Sequence, residues 1–150
     1  MDNKSSNVDI KSLRIGSHIL VDGVRARVEQ LNTVRYGEDE AFHLLVRGIS
    51  PDTGKVGEVG CFVDDEAVEP IAITPELLKE LGFKFRKSAG GSWCISDKKE
   101  GYFYATVCSD STCIVTHYPD FGFQSRVVCA YLHELEAFAY LIAQTELIPD

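Results

Sequence analysis

Four sets of side chains in this 150-residue chain have types and spacing that could do chemistry. Cys108 and Cys113, with four residues between them, could join Cys94 and His117 around a zinc ion. Structural zinc sites draw their ligands from closely spaced pairs, normally two of them. Only one pair stands here, and strand-like residues flank both of its members, so two buried thiols are the simpler reading and no metal is expected. A cysteine nucleophile has residues to draw on but no local signature, and no catalytic residue is assigned. His133-Glu134, with Glu136 close by, could suggest acid–base or metal work. Neighbouring positions on a helix point in different directions, however, and a solvated helix face fits better. Gly90-Gly91-Ser92 lacks the lysine and the following helix of a phosphate loop, so no cofactor is implied.

Aromatic residues form the fourth set. Ten of the fifteen lie between Trp93 and Tyr140, which directs attention to the second half of the chain. If Tyr102 to Cys108 is a strand with Phe103 turned inward, then Tyr102 and Tyr104 turn outward, with Trp93 or Tyr118 as neighbours. An outward aromatic sheet face can dock protein or stack on bases. Trp93, Tyr102, Tyr104 and Tyr118 are therefore the candidate binding residues. The opposing possibility is a sheet covered on both faces.

These residues need elements to position them. Ser17–Val21 and Val24–Leu31 read as strands joined by Asp22-Gly23, a strong two-residue hairpin signal. Val24, Ala26 and Val28 alternate with Arg25, Arg27 and Glu29, as in a half-buried strand. Tyr36-Gly37-Glu38-Asp39-Glu40 reads as a polar loop, Ala41–Ile49 as a third strand, and Ser50-Pro51-Asp52-Thr53-Gly54 as a turn. Val56–Val63 reads as a fourth strand, in which Gly57 and Gly60 signal a bulge or a close backbone approach. Thr74-Pro75-Glu76 then starts a short helix: a capping hydroxyl, a proline where no amide hydrogen is needed, and an acid at the positive end of the dipole. Leu77, Leu78 and Leu81 form its stripe, and Gly82-Phe83 ends it. At about two turns this helix must be held by packing. Beyond it come a loop with a basic patch (Lys84, Arg86, Lys87) and strands at Ser92–Ser96, Tyr102–Cys108 and Cys113–Tyr118. A helix follows from about Val127 to Thr145, with Val128, Leu132, Leu135, Ala139 and Ile142 as its stripe.

Three segments, taken together and in order, carry a resemblance to a known family. Leu13-Arg14-Ile15-Gly16 opens the first hairpin. Pro70-Ile71-Ala72-Ile73-Thr74-Pro75-Glu76-Leu77-Leu78 runs to Leu81-Gly82-Phe83. Tyr131-Leu132-His133-Glu134-Leu135-Glu136 runs to Thr145-Glu146-Leu147. In this order the chain resembles small uncharacterised proteins of Bacteroidota genomes, their prophages and their phages. The family often carries Gln-Asn where this chain has Glu136-Ala137. The resemblance brings no activity. It implies a phage or mobile-element protein acting inside a bacterial cell.

Composition narrows the rest. The chain is 45% hydrophobic, enough for a real core. No apolar run reaches the roughly 18 residues of a membrane span, and the first residues lack the apolar stretch of a signal peptide. Five irregularly spaced cysteines fit reduced thiols, so a cytoplasmic location is expected. Net charge is −8, the wrong sign for a general nucleic-acid backbone binder. Residues 1–55 hold eight basic and eight acidic side chains, residues 88–150 only three against eight. Direct nucleic-acid binding would thus fall to Arg14, Arg25, Arg27, Arg35 and Arg47.

The expected fold is α+β. A flexible N-terminus (1–12) precedes an antiparallel β-meander or SH3-like half-barrel (13–70). Residues 71–150 hold a short joining helix and a three-stranded antiparallel sheet packed by a C-terminal helix, as a second lobe or as a continuation of one domain. The expected function is non-catalytic binding to a host or phage protein, whose basic surface the acidic chain would attract. Nucleic-acid binding through the arginines, and an enzyme without a recognisable motif, are the alternatives.

Overall fold

The computed structural model describes residues 13–49, 56–63, 66–87, 91–120 and 122–148. The N-terminus and the expected turn at 50–54 lie outside them. The described residues up to Ile71 form one compact unit, and those from Ala72 a second. Among the described residues the class is α+β, with two antiparallel sheets and no closed barrel.

In the first unit, β1 (His18–Val21) and β2 (Val24–Tyr36) are joined at Asp22-Gly23. Both turn residues take positive φ (53° and 77°), the conformation a two-residue turn needs to match the twist of its strands. β2 runs on past Leu31, and β3 (Asp39–Ile49) begins earlier than the sequence suggests. Tyr36 pairs with Asp39, so the polar segment is a tight turn rather than a loop. β4 (Val56–Phe62) and β5 (Val68–Glu69) complete the order β4-β3-β2-β1-β5. A bulge at Glu29 lets two residues of β2 oppose one of β3. At Gly60 an added Cβ would sit 2.8 Å from the His43 ring, which explains that glycine as a close approach. Ile19, Val28, Leu44, Val46 and Val68 form the core of this unit, each almost fully buried.

The second unit opens with α1 (Pro75–Glu80), whose first turn is capped as its sequence requires: Leu77 N–H donates to Thr74 Oγ1 at 3.1 Å. Gly82 takes φ +100°, and Phe83 turns back into the core at 2% exposure. The sheet that follows has five strands rather than three: β6 (Lys84–Arg86), β7 (Ser92–Ser96), β8 (Tyr102–Val107), β9 (Cys113–Tyr118) and β10 (Ser125–Cys129). They form an unbroken meander, β10-β9-β8-β7-β6. The two extra strands are its edges.

α2 (Leu132–Ala143) is shorter than the expected helix, because Ser125–Cys129 pairs with β9 instead of joining it. Val128, expected on the helix stripe, therefore stands on β10 and is 61% exposed. Glu134 fixes the helix start: its Oε1 accepts from the N–H groups of Ala130 and Tyr131 at 2.8 and 3.0 Å. Leu132, Leu135 and Ala139 are fully buried, each leucine stabilising by about 2 kcal/mol. Phe138 meets Phe103 of β8 edge-on, with ring centroids 6.1 Å apart, so α2 covers the face of the sheet that carries Phe103. His133 and Glu136 are also buried, which corrects the reading of a solvated helix face.

Candidate functional site

Strand parity divides the second sheet into two faces. Phe103, Ala105, Val115 and Cys113 point toward the helix side and are fully buried. Tyr102, Tyr104 and Thr106 point the other way. Register carries this outward face across the sheet. Tyr104 lies between Cys94 and Thr116, Lys84 is opposite Cys94, and Arg126 is opposite Thr116. One cross-strand row thus reads Lys84, Cys94, Tyr104, Thr116, Arg126, with a cation at each end. In a second row Arg86 pairs with Ser92, whose hydroxyl is 2.9 Å from that of Thr106. In a third, Tyr102 faces Tyr118.

Between these rows the outward face is hollowed. It holds a shallow cavity of about 550 Å3, lined by the three tyrosines, Arg126, Ile114 and the hydroxyls of Ser92, Thr106 and Thr116. Tyr104 and Tyr118 meet edge to face at 5.3 Å. Tyr102 and Tyr118 remain 47% and 44% exposed. The neighbouring Cys94, electrostatically and through a side-chain hydrogen bond, raises the Tyr104 phenol above its ordinary value. No strand residue on the outward face is acidic, and Lys84, Arg86 and Arg126 form no ion pair among the described residues.

Three of the four expected binding residues, Tyr102, Tyr104 and Tyr118, therefore meet on one face. Trp93 does not. Its register partner is Ala105, an inward residue, so Trp93 sits on the opposite face and packs edge-on against Phe85 at 5.3 Å. The sequence reading missed Arg126, which lies on a strand it assigned to the lead-in of a helix. It found Lys84 and Arg86 as a basic patch but not the edge strand that aims them. The alternation in Ser125-Arg126-Val127-Val128-Cys129 was the available signal.

The zinc-type set does not converge. Cys94 points outward, Cys113 and His117 inward, and the described residues hold no cluster of three or more metal-ligating side chains. Burial pushes the Cys113 thiol up to about 11 and the Cys129 thiol up to about 12, so neither supplies a thiolate at neutral pH. His117 Nε2 lies 2.8 Å from Asp97 Oδ2, a pairing familiar from catalytic sites. Both residues are nearly fully buried, and His117 lies against the Phe103 ring, 4.7 Å between centroids. The pair works as a clip. Asp97 Oδ1 accepts from the N–H groups of Lys99 and Gly101 at 2.8 and 3.0 Å, and its backbone carbonyl accepts from Thr145 Oγ1 at 2.8 Å. One aspartate thus ties the β7–β8 turn to β9 and to the end of α2. Burial alone would raise its carboxyl pKa, but His117 and the two amides hold it below the ordinary value.

The arginines of the first unit are differently placed. Arg27 pairs with Glu29, Arg47 with Glu29 and Glu58 at 3.8 and 3.5 Å, and Arg35 with Glu40 at 3.5 Å. Three of the five arginines offered for nucleic acid are thus already beside carboxylates. Among the described residues, no helix is long and apolar enough to cross a membrane. No protein-family model matches the sequence, and no curated protein matches it significantly.

Proposed function

We propose that this chain is a non-catalytic binding protein, of phage or mobile-element origin, that docks a host or phage protein on the outward face of its C-terminal sheet. The observation that carries the reading is the convergence of Tyr102, Tyr104 and Tyr118 with Arg126 around one exposed concavity. Tyrosine and arginine are the side chains that concentrate binding energy at protein interfaces, because each offers a rigid contact area and a polar end. The face is built on paired strands and backed by a packed core, so it is presented preformed, with little ordering cost on binding. Catalysis lacks comparable support: Cys113 and Cys129 are poor nucleophiles, and the His117–Asp97 pair is enclosed.

The test is capture of partners from a nuclease-treated bacterial lysate on tagged wild-type protein and, in parallel, on a variant carrying Tyr102→Ala, Tyr104→Ala and Tyr118→Ala. Circular dichroism would first establish that the variant is folded. The reading requires a stoichiometric partner retained by wild type and lost by the variant. Equal retention by both would contradict it.

A further inference from the structure

We infer that the occupant of this face is a short acidic segment of the partner protein, lying across the strands with carboxylates near both ends and apolar or aromatic side chains between them. This rests on the docking reading and sharpens it. The sequence as a whole favours a basic partner, because its net charge is −8. The face itself has the opposite character. Lys84 and Arg126 end one cross-strand row, Arg86 ends the next, and no outward strand residue is acidic. Contact is governed by the charges within about 8 Å, the screening length at physiological salt, rather than by the distant total.

Geometry sets the size of the segment. Lys84 and Arg126 stand on the two edge strands of a five-stranded sheet. Four inter-strand gaps of about 4.8 Å separate them by roughly 19 Å, which about six residues of extended peptide would span. Between the cations, Tyr104 with its neighbours Tyr102 and Tyr118 offers ring edges and faces for an apolar side chain. Ser92, Thr106 and Thr116 offer hydroxyls to its backbone. Arg126 can take a carboxylate with two parallel hydrogen bonds. A long polyanion such as nucleic acid matches the cations and the aromatics too. It would also extend past the three cations toward the turns that join these strands, which carry Glu100, Asp110 and Asp120.

The experiment is titration of the 15N-labelled full chain, followed by amide NMR shifts, with three probes. The first is a capped peptide Glu-Glu-Phe-Leu-Tyr-Glu-Glu, the second the same peptide with lysine in place of glutamate, and the third an octathymidylate. The inference requires saturable shifts clustered on β7 to β10 with the acidic peptide, weakened at least tenfold by the double variant Lys84→Glu, Arg126→Glu and by high salt. Shifts on these strands with the lysine peptide or the octathymidylate, and none with the acidic peptide, would overturn it. So would no response to any probe. Failure of the docking reading is separable through the captured partner. If the tyrosine variant loses that partner and the charge-reversed variant keeps it, the face docks protein but not through acid. If both keep it, the face is not the docking surface.

Discussion

The two sheets have the same strand count and the same antiparallel build, yet they treat their charges in opposite ways. On the N-terminal sheet, Arg27, Glu29, Arg47 and Glu58 stand side by side across β2, β3 and β4 and neutralise one another. On the C-terminal sheet, Arg126 lines the tyrosine cavity, Lys84 and Arg86 end its cross-strand rows on β6, and no outward strand position carries a carboxylate. The half of the chain richer in arginine therefore presents the less basic sheet face. Counting charges along the sequence pointed to the first sheet. Register, which decides what each charge sits beside, points to the second.

The sharpest way to break this contrast is to remove the support behind the C-terminal face. Phe103 is fully buried between the sheet and Phe138, and Phe103→Ala should cost about 3–5 kcal/mol. That is a large share of a typical domain's total stability. Trp93 is the only tryptophan and lies in this sheet, so its fluorescence during urea unfolding reports the loss directly. Asp97→Ala removes the acceptor of three hydrogen bonds in one buried clip and should cost about 3 kcal/mol in the same assay.

The wild-type clip also sets a pH dependence. Because the folded state holds the Asp97 carboxyl below its ordinary value, the unfolded chain binds more protons in the interval between the two values. The stability that Asp97 contributes is complete above the unfolded pKa of about 4 and is lost as pH falls through the folded one. Urea midpoints of wild type should therefore drop below about pH 4 more steeply than those of Asp97→Asn. Equal slopes would show that the clip does not hold the charge.

Smaller effects sharpen the contrast. Tyr104→Ala removes a partly exposed side chain and should cost about 1 kcal/mol in stability or less, while weakening partner binding at least tenfold. Arg47→Ala, on the other sheet, opens an exposed ion-pair network, should change stability by less than about 1 kcal/mol, and should leave partner binding unchanged. A matching loss of binding from both variants would mean that the two faces do not differ in function.

Much of the fold was legible because the signals were local. Asp22-Gly23 named its own turn, Thr74-Pro75 its own helix start and Gly82 its helix end, each through backbone requirements that few other residues meet. Strand parity within Tyr102-Phe103-Tyr104 placed two tyrosines on one face without any knowledge of neighbours. What failed depended on pairing. The face of Trp93 follows from its register with Ala105, and the length of the turn between β7 and β8, fixed by the Asp97 clip, sets that register. Ser125–Cys129 merged into the helix because Tyr131, at the N-cap position, is not a usual capping residue. The acid at Glu134 marks the true start. The divergence of neighbouring helix positions suggested a solvated face for His133 and Glu136, but their helix packs both inward. Arg126 was the main loss for the site, since its place in the cation-ended row exists only once β10 is a strand.

The docking proposed above puts the partner on the C-terminal sheet and not on the N-terminal one. Hydrogen–deuterium exchange of the chain, free and in complex with the captured partner, tests it most directly. Protection concentrated in residues 102–106, 114–118 and 125–128, with β2 to β4 unchanged, is the predicted result. Protection confined to β2 to β4 would place the partner on the N-terminal sheet instead.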